Sequence, residues 1–321
     1  MKLSDIQKLA KNIRLTEEEL MRGSQMELIQ KLGMEPGSFY QELEMDSRFV
    51  DTHQDTSWSN ASVNLHSHSF FEILFCRNTC GAEYLVGSER YRLQKGDIVL
   101  VAPGVSHCPL LPEHMAEPYK RDVIWLSTEF MDFLIQTFPV LQNYHPLYST
   151  LLRTADTNWE SLGELFQNGV WEAKHKMPGW EVAVIGNTIH LLSLIFRAFM
   201  DKTTAHMKAE KPELLDRVLA FVETHLAEKI TLGEIARHFY VSESTISQTF
   251  RQKMGVSFHR CVTQQRLIVA KTLISEGAPL EMVGQQVGFS DYSTFYRAFK
   301  QEYGINPRQY RKLQENTEPI L

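Results

Sequence analysis

Near the C-terminus two helix-length segments carry side chains suited to touching nucleic acid. In Glu243–Met254, Ile246 and Phe250 lie four residues apart and mark an inward face, leaving Ser244, Thr245, Ser247, Gln248 and Arg251 outward. In the second, ending near Tyr303, Phe295 and Phe299 do the same and leave Tyr292, Ser293, Tyr296, Arg297 and Lys300 outward. Hydroxyls and amides can read base edges, Lys can neutralise phosphate and Tyr can stack, so both faces suit the major groove of double-stranded DNA.

Each candidate helix needs a partner helix and a turn to hold it. Leu232–Gly255 and Leu280–Gly304 both read as a short helix, a turn and a second, capped helix. Pairing Phe250 with Phe299 brings Ile246 over Phe295, Ser242 over Asp291 and Gly255 over Gly304, an internal repeat of 49 residues. Ser242 is the expected cap of the first exposed helix, and Ser290 or Asp291 that of the second. The plan is that of two helix-turn-helix motifs.

Charge agrees once it is divided by region. The chain of 321 residues has a net charge of −6. Residues 1–207 carry −8, whereas Lys229–Lys312 carry +6, the distribution expected of an acidic body with a phosphate-binding end. Hydrophobic residues make up 43% and charged residues 22%, which excludes collagenous, disordered and disulfide-scaffold chains. The four cysteines, Cys76, Cys80, Cys108 and Cys261, read as free thiols. The longest apolar stretch, Val182–Phe196, is interrupted by Asn187 and His190, and the first 15 residues lack an apolar block, so neither a membrane span nor a signal peptide is expected. The expected setting is cytoplasmic.

The second motif resembles the AraC/XylS transcription regulators. The resemblance rests on Val287-Gly288-Phe289-Ser290-Asp291, Phe295, Arg297, Phe299-Lys300, Gly304-Ile305-Asn306-Pro307 and Tyr310-Arg311. It implies a seven-helix domain in which a long helix, about Ser257–Ser275, joins two motifs that enter successive major grooves about 34 Å apart. Carried over, the base-facing candidates are Ser244, Thr245, Ser247 and Gln248, then Tyr292, Ser293, Tyr296 and Arg297, with Arg297 foremost because a guanidinium can bind guanine bidentately. Two positions depart from the pattern. Gly284 stands where Ala is usual, with an expected loosening of up to about 1 kcal/mol, and Asn306 replaces Ser or Thr before Pro307 but can cap equally well.

Upstream, residues 63–126 break into short β-rich runs at Val63–His68, Glu72–Cys76, Glu83–Val86, Tyr91–Leu93, Ile98–Val101 and Val123–Leu126, which predicts a small antiparallel barrel or sandwich. Here His66-Ser67-His68-x3-Glu72, then Gly96-Asp97 and Pro103-Gly104-x2-His107, resemble the two motifs of the cupin barrel. That resemblance implies a ligand set of His66, His68, Glu72 and His107 for a divalent transition metal, or, as in sensor barrels of the AraC/XylS kind, the polar lining of a metal-free effector pocket. The pocket is the preferred reading, with no cofactor expected. Tyr84 and Trp125 are the expected stacking faces for a small effector such as a sugar, with Trp58, Phe71 and Tyr91 as further candidates. His66, His68 and Glu72 share strand parity and are expected on one face.

After Ser127 the strands are expected to stop. In the long helix Glu181–Met200, Val182, Ile185, Ile189, Leu192, Phe196 and Phe199 follow a 3–4 spacing that could pair with a second copy. The fold expectation is α+β, a cupin-like β-barrel with flanking helices followed by an all-α tandem helix-turn-helix domain. The expected divisions are a helical extension over 1–55, an effector-binding and dimerisation domain over 56–200, a linker over 201–211 that leads to Pro212 in the first turn of a new helix, and a DNA-binding domain over 212–315. No phosphate-cradling loop, nucleophile elbow or HExxH helix is visible. The chain therefore reads as a ligand-responsive regulator, an activator by resemblance, that is homodimeric and works on promoter DNA with RNA polymerase. A metal-dependent cupin enzyme fused to a DNA-binding domain is the alternative.

Overall fold

A computed structural model describes residues 45–58, 65–143, 150–201 and 211–315. Residues 1–44 of the expected helical extension and nearly all of the expected linker lie outside the described residues. Two compact units are present, residues 45–225 with 230–261, and residues 226–229 with 262–315. The first helix-turn-helix motif thus groups with the β-strands, and the second stands in the other unit.

The class is α+β. Eight strands are described: β1 (Val50–Ser57), β2 (Phe71–Cys76), β3 (Glu83–Val86), β4 (Glu89–Arg92), β5 (Asp97–Val101), β6 (His107–Leu110), β7 (Tyr119–Leu126) and β8 (Thr150–Arg153). They form two antiparallel sheets, β1-β7-β2-β5-β8 and β4-β3-β6; the described strands do not close into one hydrogen-bonded ring. Strand alternation explains the layering. Ile73, Phe75, Ile98, Leu100, Ile124 and Leu126 face a helical layer. Their neighbours Leu74, Val99, Val101 and Val123 pack with Tyr84, Val86 and Tyr91 of the small sheet. Burial on both faces is why β2 and β5 read as unbroken apolar runs. Each such side chain removed from water contributes about 1.5–3 kcal/mol.

Several expectations need correction. His66 and His68 do not belong to a strand; His66 makes only an isolated bridge with His107. Strands continue past Ser127, because β8 follows the helix capped there and pairs with β5. β1 lies partly inside the segment expected to be helical, since its polar sequence VDTHQDTS resembles a loop until β7 pairs with it in register. β6 was missed because Pro109 interrupts its pattern.

The helical layer comprises α1 (Thr128–Thr137), α2 (Leu162–His175) and α3 (Trp180–Met200). Ser127 caps α1 by accepting from the Phe130 N–H at 3.1 Å. α3, with 21 residues, is long and apolar enough to cross a bilayer. Its Val184, Leu191, Leu192, Ile195 and Phe196 nevertheless sit in the sheet–helix core, so it is a core helix. Leu192, Phe196 and Phe199 of the expected pairing seam are buried there, while Val182 and Ile189 remain exposed.

Three helices complete this unit: α4 (Leu214–Thr224), α5 (Leu232–His238) and α6 (Glu243–Met254). Glu213 caps α4, so Pro212 precedes the cap and does not occupy the first turn. α7 (Phe258–Ser275) leads to α8 (Leu280–Gln286), α9 (Tyr292–Tyr303) and α10 (Pro307–Glu315). The second unit's core gathers Leu267, Val283, Val287, Phe289, Phe295, Phe299 and Tyr310. Asn306 caps α10 reciprocally with Gln309, each side-chain oxygen accepting from the other residue's N–H at 2.9 Å.

Candidate functional site: a buried acceptor cluster and two exposed helix faces

The expected effector residues converge inside the β unit. The backbones of His66 and His107 exchange hydrogen bonds of 3.1 and 2.9 Å. Their rings lie 4.2 Å apart, and His68 is 4.8 Å from His107. His66, His68 and His107 each offer a nitrogen within 4.8 Å of the others. Glu72, the second residue of β2, brings Oε2 to 3.1 Å from His107 Nε2 and 3.8 Å from His68 Nε2. Its other oxygen accepts from Trp125 Nε1 at 2.8 Å. Tyr84 is buried with its ring near His107.

The orientation of the rings defines the chemistry. His68 Nδ1 lies 2.8 Å from the Phe70 carbonyl and His107 Nδ1 lies 2.9 Å from that of Val105. Each Nδ1–H therefore donates to backbone, which turns Nε2 toward Glu72. His68 Nε2, His107 Nε2 and Glu72 Oε2 are all buried without a hydrogen-bond partner. Burial lowers the His68 pKa more than the Glu72 carboxylate raises it, so a neutral ring with an Nε2 lone pair is favoured. The centre is thus rich in acceptors and accommodates either a donor-rich ligand or a cation. The donor set, with backbone-anchored Nδ1 atoms, fits a divalent transition metal.

The other stacking candidates fall elsewhere. Trp58 is 62% exposed, Phe71 packs on the helical side of the large sheet, and the Tyr91 hydroxyl donates to Glu89. Sequence reasoning missed Tyr119 and Arg121. The Tyr119 hydroxyl is buried and unpartnered. Arg121, 7% exposed, donates to Ser57 at 3.0 Å and Asp55 at 2.9 Å. Continuing the alternation of β7 backward from Trp125 through Val123 places both on the same face.

The two helical faces are open. Ser242 caps α6 by accepting from the Thr245 N–H at 3.1 Å, and Asp291, not Ser290, caps α9 through the Thr294 N–H at 2.8 Å. Ile246, Phe250, Phe295 and Phe299 are buried, as their spacing requires. Ser244, Thr245, Gln248 and Arg251 on α6 are exposed and Ser247 is half-buried; on α9, Tyr292, Ser293, Arg297 and Lys300 are exposed and Tyr296 is half-buried.

Residues 235–313, which take in the first motif from Ile235 onward and all of the second, match a family described as a helix-turn-helix domain. This part of the chain is a helix-turn-helix domain. The chain is similar to the probable transcriptional regulator LumQ of Photobacterium leiognathi, 37% identical over 105 residues, covering 32% of this chain and 42% of the relative. That match spans less than half the length of LumQ. The HTH-type transcriptional activator RhaS of Salmonella paratyphi A is 25% identical over 254 residues, covering 77% of this chain and 87% of the relative. The crystal structure of ToxT from Vibrio cholerae O395 aligns over 84% of this chain and 99% of its own at 15% identity, with a TM-score of 0.34. The exposed helix faces lie within the matched helix-turn-helix domain, whereas the acceptor cluster lies outside the matched residues.

Proposed function

We propose that the chain is a ligand-responsive regulator of transcription that binds double-stranded promoter DNA through α6 and α9. The observation that carries this reading is the pair of capped helices, each with a buried aromatic or aliphatic face and an exposed donor-rich face, within an AraC-type domain. Ser244, Thr245, Ser247, Gln248, Tyr292, Ser293, Tyr296 and Arg297 serve base readout and stacking, and Arg251 and Lys300 hold phosphates. The effector is a small polyhydroxylated molecule such as a sugar, whose hydroxyls donate to the lone pairs of His66, His68, His107 and Glu72 beside Tyr84 and Trp125. Its binding shifts the population toward one DNA-binding state and so changes affinity for DNA or contact with RNA polymerase. A homodimer forms through the outer stripe of α3, where Val182, Ile189 and Met200 are 76%, 36% and 70% exposed.

The deciding experiment selects bound duplexes from a random pool and repeats the titration with Arg297→Ala. A specific sequence should emerge, and the variant should lose about 1–3 kcal/mol against it. Unchanged affinity would remove Arg297 from base readout. A thermal-shift screen of sugars tests sensing, since a ligand at 100 times its Kd adds about 2.7 kcal/mol to stability.

The three orphaned atoms favour one second reading, a metal held by His66, His68, Glu72 and His107 in a cupin-type centre with enzymatic capacity. Such an ion would supply Lewis acidity, with Trp125 orienting the carboxylate. Stoichiometric metal in the purified protein that disappears in a His66→Ala/His68→Ala double variant would establish it.

A further inference from the structure

The small sheet β4-β3-β6 has two working faces. Its inner face carries Tyr84 and His107 of the acceptor cluster. On its outer face Leu85, Cys108 and Leu110 are buried, although the helical layer of 128–200 covers the other sheet. The partners recorded on the outer face come from the start of α4 and the start of α7. Burial there pushes the Cys108 thiol up, with a further push from Cys261 at the start of α7.

Arg90 on β4 is 3% exposed and its guanidinium touches three carboxylates. Nη1 lies 2.8 Å from Glu83 on β3, Nη2 lies 2.9 Å from Glu213, and Nε lies 3.2 Å from Asp216. Glu213 is the cap of α4, and Asp216, itself 3% exposed, accepts the Glu213 N–H at 2.8 Å. The second oxygen of Glu213 pairs with Lys253 in the last turn of α6. One buried arginine therefore joins the sheet to the capping box of α4, and a second ion pair continues to the candidate recognition helix. The planar guanidinium spreads its donors in fixed directions, so one Arg side chain reaches three separate carboxylates.

We infer that the small sheet transmits the state of the acceptor cluster to the first helix-turn-helix motif, with Arg90 as the positioning residue that latches α4 and, through Glu213 and Lys253, α6. On β3 the adjacent residues Glu83 and Tyr84 point to opposite faces, so a shift of the strand caused at the cluster must be felt at the latch. The second motif, in the other unit, lacks this tie among the described residues. The transmission rests on the effector-site reading, but the latch stands without it.

Hydrogen exchange on the full chain tests both parts. In Arg90→Gln the amides of 214–224 and 243–254 should exchange at least about tenfold faster, because buried carboxylates lose their partner, while β2, β5 and α9 stay protected. Asp216→Asn should give the same signature, and the double variant should add little to either. Unchanged exchange in α4 and α6, or additive effects, overturns the latch. If Arg90→Gln unfolds the whole chain, Arg90→Lys, which keeps the charge but not the fork, should still loosen α4 selectively; protection at the wild-type level there overturns it equally. Glu72→Gln, which changes the cluster's charge, should alter exchange in α4 only when Arg90 is present. An effect confined to β2 and β6 refutes transmission and leaves the latch, whereas failure of the effector reading appears separately, as a sugar screen without a thermal shift.

Discussion

Replacing Gly288 by Ala should cripple the second motif while preserving every polar contact proposed for DNA. Gly288 sits in the turn before α9 with φ of +91°, a region that costs a residue with a Cβ about 1–2 kcal/mol. An added Cβ would also overlap the Leu226 carbonyl oxygen and approach Arg266 Nη2 at 2.8 Å and Cζ at 2.9 Å. Neither neighbour yields freely: Arg266 Nε donates to that same carbonyl at 3.1 Å and Nη2 donates to the Glu228 carbonyl at 2.6 Å. Relieving the overlap costs about 1–3 kcal/mol as overpacking, so the total is roughly 2–5 kcal/mol, borne by residues 262–315. Denaturant titration of the full chain, followed by hydrogen exchange in α8 and α9, measures it. A loss below about 1 kcal/mol would show that the turn can open without strain and would refute the packing argument.

Gly284→Ala should destabilise although it raises helix propensity. The gain is about 1 kcal/mol, but the new Cβ would lie 2.9 Å from Phe295 Cβ and 3.1 Å from Cγ, a rigid, fully buried neighbour whose displacement costs about 1–3 kcal/mol. A higher melting temperature would reverse that balance. Alkylation of the native protein at pH 8 should label Cys80, which is half-buried, and spare Cys76 and Cys261, whose thiols burial pushes up to about 12; peptide mass spectrometry would expose an error as labelling of either. Burial raises the Asp55 carboxyl, but His53 and Arg121 outweigh it and the net shift is downward from 3.8. Its contribution to stability is therefore complete above that value and is lost as pH falls through the folded value, and Asp55→Asn should flatten the acid limb of the melting curve. An acid limb identical to wild type would dissolve the Asp55–Arg121 pairing.

The helical half was legible because its signals are local. Ser242 announces α6, the four-residue spacing of Ile246 and Phe250 orients it, and the second copy repeats the message around Phe295 and Phe299. The β half is specified by distant pairing. β1 becomes a strand only because β7 lines up beside it, and β8 because β5 offers an edge; neither partner is visible in a window of ten residues. Among the cluster residues, Glu72 and His107 were legible as types, but which nitrogen turns inward depends on the Phe70 and Val105 carbonyls, which no side-chain pattern encodes. Gly284 was misjudged for a related reason: propensity sees one helix, whereas the close approach to Phe295 involves two.

The large sheet also dictates how the protein must be made. β2 and β5 are apolar on both faces, and β5 gains its outer neighbour only with β8, while the helical cover of the sheet ends at Met200. At roughly 5–20 residues per second, a ribosome needs on the order of 5–20 seconds to pass from the end of β5 at Val101 to the end of α3 at Met200, and during that interval a sticky half-sheet is exposed in the nascent chain. Messages truncated before the end of α3 should therefore yield aggregates, and chaperone occupancy should peak before the DNA-binding helices have left the exit tunnel.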